Sequence, residues 1–189
     1  MAITKIQSES LNLADDFAFT GTITGAGGTL NHCQTFIKTS NQSISSDTMT
    51  TITWSGESTK QPSIGSTLVS VSSGIFSFSE TGIYMINPNI TVQMNANDGH
   101  SRKAQLIFQK TTNNSTYSTI ADSETSIPNT DGGELNKGNL TGNFLVDITD
   151  TTNDKVKFLW WLQSNACTIM SNGTTADRTI IQFLKLADT

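Results

Sequence analysis

The feature that most constrains the fold of this 189-residue chain is an alternation of apolar and polar residues with a period of two. The alternation is clearest over 140–148, where an apolar residue or glycine occupies every even position. Successive side chains of a β-strand point to opposite faces of the sheet, whereas one face of a helix recurs every ~3.6 residues. The competing helical window, 176–187, is too rich in β-branched residues to favour a helix. The sequence therefore predicts an all-β fold.

Similar short runs recur along most of the chain, separated by clusters of Ser, Thr, Asn and Gly that favour turns. The predicted strands are 33–39, 49–54, 67–71, 75–78, 83–94, 102–110, 116–121, 140–148, 156–162 and 179–186. Pro88 falls inside the longest of them and predicts an edge or a bulge midway. The run at 156–162 is the most apolar and is predicted to be buried on both sides. This set of short strands indicates a sandwich or a barrel.

The charge distribution argues against a nucleic-acid partner. The chain has 11 Lys and Arg against 16 Asp and Glu, which gives a net charge of −5. Its basic residues are scattered singly or in pairs such as Arg102 and Lys103. A duplex-binding protein needs a concentrated basic face to displace the counterions of the phosphates. We therefore predict no binding to nucleic acid.

Residues 1–30 differ from the rest of the chain. Their apolar residues fall on alternate positions and are followed by a Gly-Ala-Gly-Gly joint at 25–28. The apolar positions are Leu11, Leu13, Phe17, Phe19 and Ile23. One short strand cannot bury its own apolar face. We therefore predict an extended anchoring arm over 1–30 and a folded domain over 31–189, with a first strand of the same sheet as the alternative interpretation.

The N-terminus and the cysteines point to folding in a cytoplasm. The first nine residues lack the apolar segment of a secretory signal, and no apolar run approaches the length of a membrane span. Membrane insertion is therefore not expected. Cys33 and Cys167 are far apart in sequence, and a disulfide between them stays open. Two buried free thiols suit a reducing compartment better.

Two segments of the chain resemble the C1q/TNF-like jelly-roll family. Phe76-Ser77-Phe78 followed by Gly82-Ile83-Tyr84 is similar to the family's aromatic strand and its following Gly-x-Tyr strand. Later, the strand 140–148 precedes Asp154-Lys155-Val156, in the family's order. The resemblance covers residues 33–187, although Ile-Gln-Phe at 181–183 replaces the family's usual Phe-Gly pair. It implies an antiparallel jelly-roll sandwich over 31–189.

The same resemblance implies a homotrimer, because C1q/TNF-like domains pack three protomers around an axis through aromatic and aliphatic side chains. The aromatic candidates for the trimer interface are Phe76, Phe78, Tyr84, Phe144, Trp160 and Trp161. Packing in the core of the single protomer is the alternative for each of them.

A second resemblance concerns the arm. Residues 8–27, with Leu-Asn-Leu-Ala-Asp-Asp-Phe-Ala-Phe-Thr-Gly-Thr at their centre, are similar to a segment that recurs in marine and cyanobacterial bacteriophage structural proteins. There, such stretches lie next to fibre or decoration modules. This implies a virion component assembled in the host bacterial cytoplasm, as a capsid decoration, a head fibre or a tail-fibre knob. The arm would bind other capsid or tail proteins.

Catalysis is not expected. His32 and Cys33 are adjacent in a predicted strand, so their side chains point to opposite faces, and no zinc-ligand spacing occurs. Loop carboxylates that would have to converge for sugar hydrolysis are Asp98, Asp122, Glu124, Asp131 and Glu134. Loops rich in Asp and Asn offer the oxygen ligands of Ca²⁺, but without EF-hand spacing, so no cofactor is predicted.

Host attachment is the alternative function. Exposed aromatic side chains on loops can stack on sugars, and Tyr117 and Trp54 are the candidates. On that hypothesis the chain is a receptor- or glycan-binding module carried on the same particle.

Overall fold

The computed structural model describes residues 32–61, 63–94, 101–127, 137–171 and 177–189, with backbone only at 101 and 102. These residues form antiparallel strands and no helix, so the all-β prediction is confirmed. The strands are β1 (Cys33–Ile37), β2 (Gln42–Ile44), β3 (Thr50–Thr51), β4 (Gly56–Glu57), β5 (Val69–Ser72), β6 (Ile75–Phe78), β7 (Gly82–Met94), β8 (Ser101–Thr111), β9 (Ser118–Ile127), β10 (Lys137–Thr141), β11 (Phe144–Ile148), β12 (Lys155–Leu162), β13 (Cys167–Ile169) and β14 (Ile180–Ala187). Over the described ranges, no helix is long and apolar enough to cross a membrane.

The strands form two sheets. The β7 sheet has the order β2-β13-β7-β14-β1-β4, with β10 and β11 along the other edge of β7. The β12 sheet has the order β5-β6-β12-β8-β9, with β3 beside part of β12. The predicted arm over 1–30 lies outside the described residues.

Pro88 lies within β7, which stays continuous, and the break falls between β10 and β11 along the neighbouring edge. The pairing of β10 and β11 with β7 follows a single register, from Lys137 opposite Gln93 to Ile148 opposite Gly82. The only break along this register is opposite Pro88, where the Gly142 N–H donates to the Pro88 carbonyl over 3.3 Å. In a strand the N–H and C=O of one residue face the same edge, so the N–H that proline lacks would point at this break. The edge or bulge predicted there is a gap between β10 and β11.

The core lies between the sheets and is rich in aromatic contacts. The ring centroids of Phe76 on β6 and Phe183 on β14 are 4.7 Å apart, which joins the two sheets. Phe108 stacks on Phe158 at 4.9 Å within the β12 sheet, and Phe144 of the β7 sheet lies 5.1 Å from Phe108. Offset and tilted ring pairs of this kind contribute about 0.5–1.5 kcal/mol each beyond area burial.

The outer side of β12 corrects one expectation. Val156, Phe158, Trp160 and Leu162 are buried between the sheets. On the outer side, Leu159 is also buried, so the prediction that this strand is buried on both sides holds at that position. The prediction is wrong at Lys157 and Trp161, which remain half-exposed.

A buried carboxylate organises the turn between β11 and β12. Asp154 accepts hydrogen bonds from the backbone N–H groups of Thr149 at 2.8 Å and Asp150 at 3.3 Å. The ammonium of Lys110 on β8 lies 3.1 Å from the same carboxylate. Burial by itself would raise the pKa of Asp154, but these hydrogen bonds and the Lys110 charge outweigh it and lower that pKa. The side chain thus ties the turn to the neighbouring sheet.

We expect Asp154→Asn to lower the free energy of unfolding by about 2 kcal/mol near neutral pH, because the Lys110 ammonium then lacks its counter-charge. A carboxyl whose folded-state pKa is lowered stabilises the fold above its unfolded value of 3.8. That contribution is lost as the pH falls through the folded-state pKa, so wild type and variant should converge in acid. Urea unfolding followed by tryptophan fluorescence measures both effects.

The matched control is Asp147→Asn, which removes an exposed carboxylate from the adjacent strand β11. It should change the free energy of unfolding by less than about 0.5 kcal/mol. An equal loss in both variants, or a gap between Asp154→Asn and wild type that does not depend on pH, would contradict this account of the turn.

A buried lysine holds the segment after β1. The Lys38 ammonium donates hydrogen bonds to the Gln42 Oε1 at 2.9 Å, the Thr53 carbonyl at 2.8 Å and the Thr53 Oγ1 at 2.9 Å. These three acceptors use all three N–H groups, and the described part of the chain places no carboxylate against Lys38. Burial lowers the pKa of Lys38 to about 8.

This shift predicts an alkaline pH dependence. Between about pH 8 and the ordinary value of 10.5 the unfolded chain binds more protons at Lys38 than the folded chain does. The contribution of Lys38 to the free energy of unfolding should therefore rise with pH across that window. Lys38→Met should lack this rise, while Lys60→Met, at a more exposed site, should keep it. Urea unfolding at several pH values tests this, and parallel curves for wild type and Lys38→Met would contradict it.

Candidate functional site

The structure places most of the aromatic candidates inside the protomer. Five of the six are buried between the sheets, and each of these residues has 6 % or less of its surface exposed. These five are Phe76, Phe78, Tyr84, Phe144 and Trp160. Trp161 is half-exposed on the outer face of the β12 sheet. Burial raises the pKa of Tyr84, whose hydroxyl donates to the Glu80 carbonyl at 2.9 Å.

Several sequence candidates lie outside the described residues. They are the arm positions Leu11, Leu13, Phe17, Phe19 and Ile23, the loop carboxylates Asp98, Asp131 and Glu134, and His100. Of the two loop aromatics, Trp54 is buried and Tyr117 is half-exposed. The ammonium of Lys157 lies 4.1 Å from the centre of the Tyr117 ring, so a protein cation occupies one face of that ring.

The thiols have no activating environment. Cys33 and Cys167 are both free, and burial raises the pKa of each, that of Cys167 to about 12. A nucleophilic cysteine needs a lowered pKa, because the thiolate is the reactive species. Within the described ranges, no three His, Cys, Asp or Glu side chains are grouped as metal ligands.

The carboxylates that are described lie on an open sheet face. Asp122 and Glu124 are on β9, where the Gln105 amide donates to them at 2.8 and 2.6 Å. The Lys103 ammonium lies 2.7 Å from Glu124 and lowers its pKa. Both carboxylates thus lie side by side on one strand and are bound by side chains of the neighbouring strand, as is common on a solvated sheet face. They do not face each other across a cleft as a hydrolytic pair does.

The outer face of the β7 sheet carries an unusual row of apolar side chains. The row crosses the sheet from strand to strand, because Leu145 pairs with Met85, Met85 with Leu184 and Leu184 with Cys33. An isolated bridge adds Ile64 next to Cys33. Leu145 is 64 % exposed and Ile64 51 %, while the three residues between them are half-buried. We call these five residues the apolar row.

Unsatisfied polar atoms lie beside the apolar row. Asn87 and Asn89 follow Met85 on the outer side of β7, and the side-chain oxygen of each is buried with no hydrogen-bond donor among the described residues. A buried acceptor with no donor costs about 1–3 kcal/mol, and such atoms are uncommon in native proteins. An outer sheet face that combines exposed leucine and isoleucine with unpaired amide oxygens is the kind of surface that a second protein chain completes.

The sequence alone pointed to other residues. The five residues of the apolar row are distant from one another in sequence. The signal available was parity: Leu145 is apolar on the polar face of an otherwise alternating strand. An apolar residue at an outward position of an amphipathic strand marks such a surface.

Comparison with known proteins identifies the fold. No protein-family model and no curated protein matches the sequence. A solved structure of Eiger TNF from S. frugiperda superposes with a TM-score of 0.55 and 13 % identity, covering 83 % of this chain and 93 % of that chain. Murine APRIL at pH 8.0 superposes at 0.52 and 11 % identity, covering 82 % and 98 %. The fold is a TNF-like jelly roll.

At these low sequence identities, the superpositions establish the fold of this chain. They do not establish an activity. They agree with the jelly-roll sandwich that the Gly-x-Tyr resemblance implied. The PRD1 vertex protein P5 also superposes, with a TM-score of 0.49 and 16 % identity over 84 % of this chain and 99 % of that chain. That TM-score is too low for the superposition to bear on the fold or on the function.

The two thiols differ in accessibility, which predicts a measurable difference in reactivity. Cys33 lies half-exposed in the apolar row, while Cys167 is fully buried with a pKa near 12. At about pH 8, N-ethylmaleimide should label Cys33 slowly and leave Cys167 unmodified until the protein is denatured. Mass spectrometry of peptides after timed labelling measures each rate. Labelling of Cys167 in the native protein at the rate of Cys33 would contradict the burial described here.

Proposed function

We propose that this chain is a structural protein of a bacteriophage virion that assembles as a homotrimeric jelly-roll module. The module is displayed on the particle surface, as a capsid decoration, a head fibre or a tail-fibre knob. Its N-terminal arm, residues 1–30, anchors it to other virion proteins. The protein works by binding and assembly and has no catalytic role.

The observation that carries the proposal is the apolar row on the outer face of the β7 sheet. Fully burying a leucine or isoleucine side chain contributes about 1.5–3 kcal/mol, and Leu145 and Ile64 are largely exposed in the single chain. We assign the row to contacts between copies of this chain, because the C1q/TNF-like resemblance implies a trimer. The side-chain oxygens of Asn87 and Asn89 support this, since they have no donor among the described residues and a neighbouring protomer would supply one.

The virion location has a different basis. It follows from the similarity of residues 8–27 to a segment of bacteriophage structural proteins, and from the apolar alternation of the arm. A strand that cannot bury its own apolar face needs a partner surface. A knob with few charges and an arm that binds elsewhere together suit a part attached to a larger particle.

Substitution in the apolar row tests the assembly. Leu145→Asp places a charge where burial is proposed, and we expect it to convert a trimer into monomers at micromolar concentration. The protomer should stay folded, because Leu145 is already 64 % exposed in it. Sedimentation velocity measures the mass, and far-ultraviolet circular dichroism checks the fold.

The matched control is Met49→Asp, at a residue 62 % exposed beside the other sheet. It should leave the trimer intact. In the same samples, Cys33 should react faster with N-ethylmaleimide in the Leu145→Asp protein than in wild type, because assembly covers the row. A monomeric wild type, or equal dissociation of the two variants, would refute the assembly surface.

A separate experiment tests the arm. Replacing Phe17 and Phe19 by serine should leave the trimer unchanged and remove the protein from purified particles, because the substitutions delete apolar contacts of the arm alone. Quantitative mass spectrometry of purified particles against the cell lysate measures incorporation. Incorporation of the double variant at the wild-type level would rule out anchoring through these residues, and absence of the wild-type protein from particles would rule out the virion role.

A further inference from the structure

A cavity opens on the outer face of the β7 sheet, away from the apolar row. It has a volume of about 390 Å³ and is lined by Thr91, Lys137, Gly138, Asn139 and Arg178. Thr91 lies on the same outward side of β7 as Met85, about 20 Å further along the strand at ~3.4 Å per residue. The cavity and the apolar row are therefore separate parts of one sheet face.

Two polar side chains that line the cavity, Thr91 and Asn139, are hydrogen-bonded to each other. The Thr91 hydroxyl donates to the Asn139 Oδ1 at 2.6 Å, and it also lies 3.3 Å from the Arg178 carbonyl. The Asn139 side chain also carries an NH₂ group with two donors. The Thr91 backbone N–H donates to the Thr179 Oγ1 at 3.3 Å, which holds the segment containing Arg178 against β7.

The described lining of the cavity carries two basic side chains. Lys137 and Arg178 both line it, and among the described residues no Asp or Glu does, although the whole chain has a net charge of −5. Lys137 is exposed and forms no ion pair with any described residue. Ammonium and guanidinium groups form charge-assisted hydrogen bonds with carboxylates, which are about twice as strong as neutral ones.

We propose that this cavity binds a carboxylated sugar unit of a surface polysaccharide. Its volume falls within the ~300–1,000 Å³ of small-molecule sites and is large enough for a single pyranose ring. Lys137 binds the carboxylate, while the Asn139 amide and the Thr91 hydroxyl bind ring hydroxyls. All of these residues belong to one chain, so the site goes beyond the proposed assembly and does not depend on it.

Ligand-observed NMR with the full-length protein tests this inference. The probes are D-glucuronate, D-glucose and inorganic phosphate, which separate the acid group from the ring. We expect glucuronate to bind with a dissociation constant at least about tenfold below that of glucose, since one charge-assisted hydrogen bond is worth about 1.5–3 kcal/mol. Phosphate should bind more weakly than glucuronate, because it makes no contacts to Asn139 through ring hydroxyls.

Matched variants locate the site. Lys137→Ala should raise the dissociation constant for glucuronate on the order of tenfold. Lys103→Ala removes the same charge from the other sheet and should leave binding unchanged. Asn139→Ala should weaken glucuronate binding and spare phosphate binding. All three residues are at the surface, so sedimentation should find the same assembly state as in wild type, and the monomeric Leu145→Asp protein should still bind glucuronate.

Three results would overturn the proposal. The first is equal binding of glucuronate and glucose, which would remove the role of the charge. The second is an equal effect of the two lysine variants, which would indicate non-specific attraction. The third is phosphate binding as tight as glucuronate binding and insensitive to Asn139→Ala, which would make this a simple anion site. Failure of Leu145→Asp to dissociate the trimer would instead count against the assembly surface alone.

Discussion

The rest of this structure depends on β7 having hydrogen-bonding partners along both of its edges. β14 and β13 pair with one edge, and β11 and β10 pair with the other. A central strand leaves few unpaired backbone groups, so its position is strongly determined. Its inward side chains, such as Tyr84 and Ile86, form part of the core. Its outward side chains include Met85 of the apolar row and Thr91 of the cavity, so one strand supports both surfaces.

Pro88 shows how a central strand can tolerate a residue that lacks an N–H. The missing hydrogen bond falls opposite the gap between β10 and β11, where no strand residue needs it. The register is the same on both sides of the gap, so the apolar parity of β10 and β11 is preserved across it. The inward positions of both strands therefore reach the same core. A bulge in β7 itself would have shifted this parity and moved outward side chains into the core.

Two buried charged side chains stabilise the fold, whereas the proposed functions depend on the outer face of the β7 sheet. Among the described residues, the buried charged side chains of Asp154 and Lys38 hold turns and loops through contacts with backbone and side-chain partners. Groups held in this way stabilise the fold and are not positioned to transfer a proton to a substrate. The surface features on which the proposals depend are the apolar row and the cavity. Because a jelly roll serves many functions, it is these surfaces, and not the fold, that carry the functional argument.

The sequence by itself determined the strand class and the parity of the long strands. The alternation over 140–148 predicted the inward positions of β10 and β11, and the Gly-x-Tyr segment predicted the start of β7, because local periodicity is set by backbone geometry. Strands of three residues such as β2 and β13 went undetected, since they are too short to show a period. Only the tertiary structure decided which aromatic side chains are core and which apolar side chains form a surface. The apolar row exists because the register of four strands brings residues from Cys33 to Leu184 side by side, and register is a long-range property that local sequence does not encode.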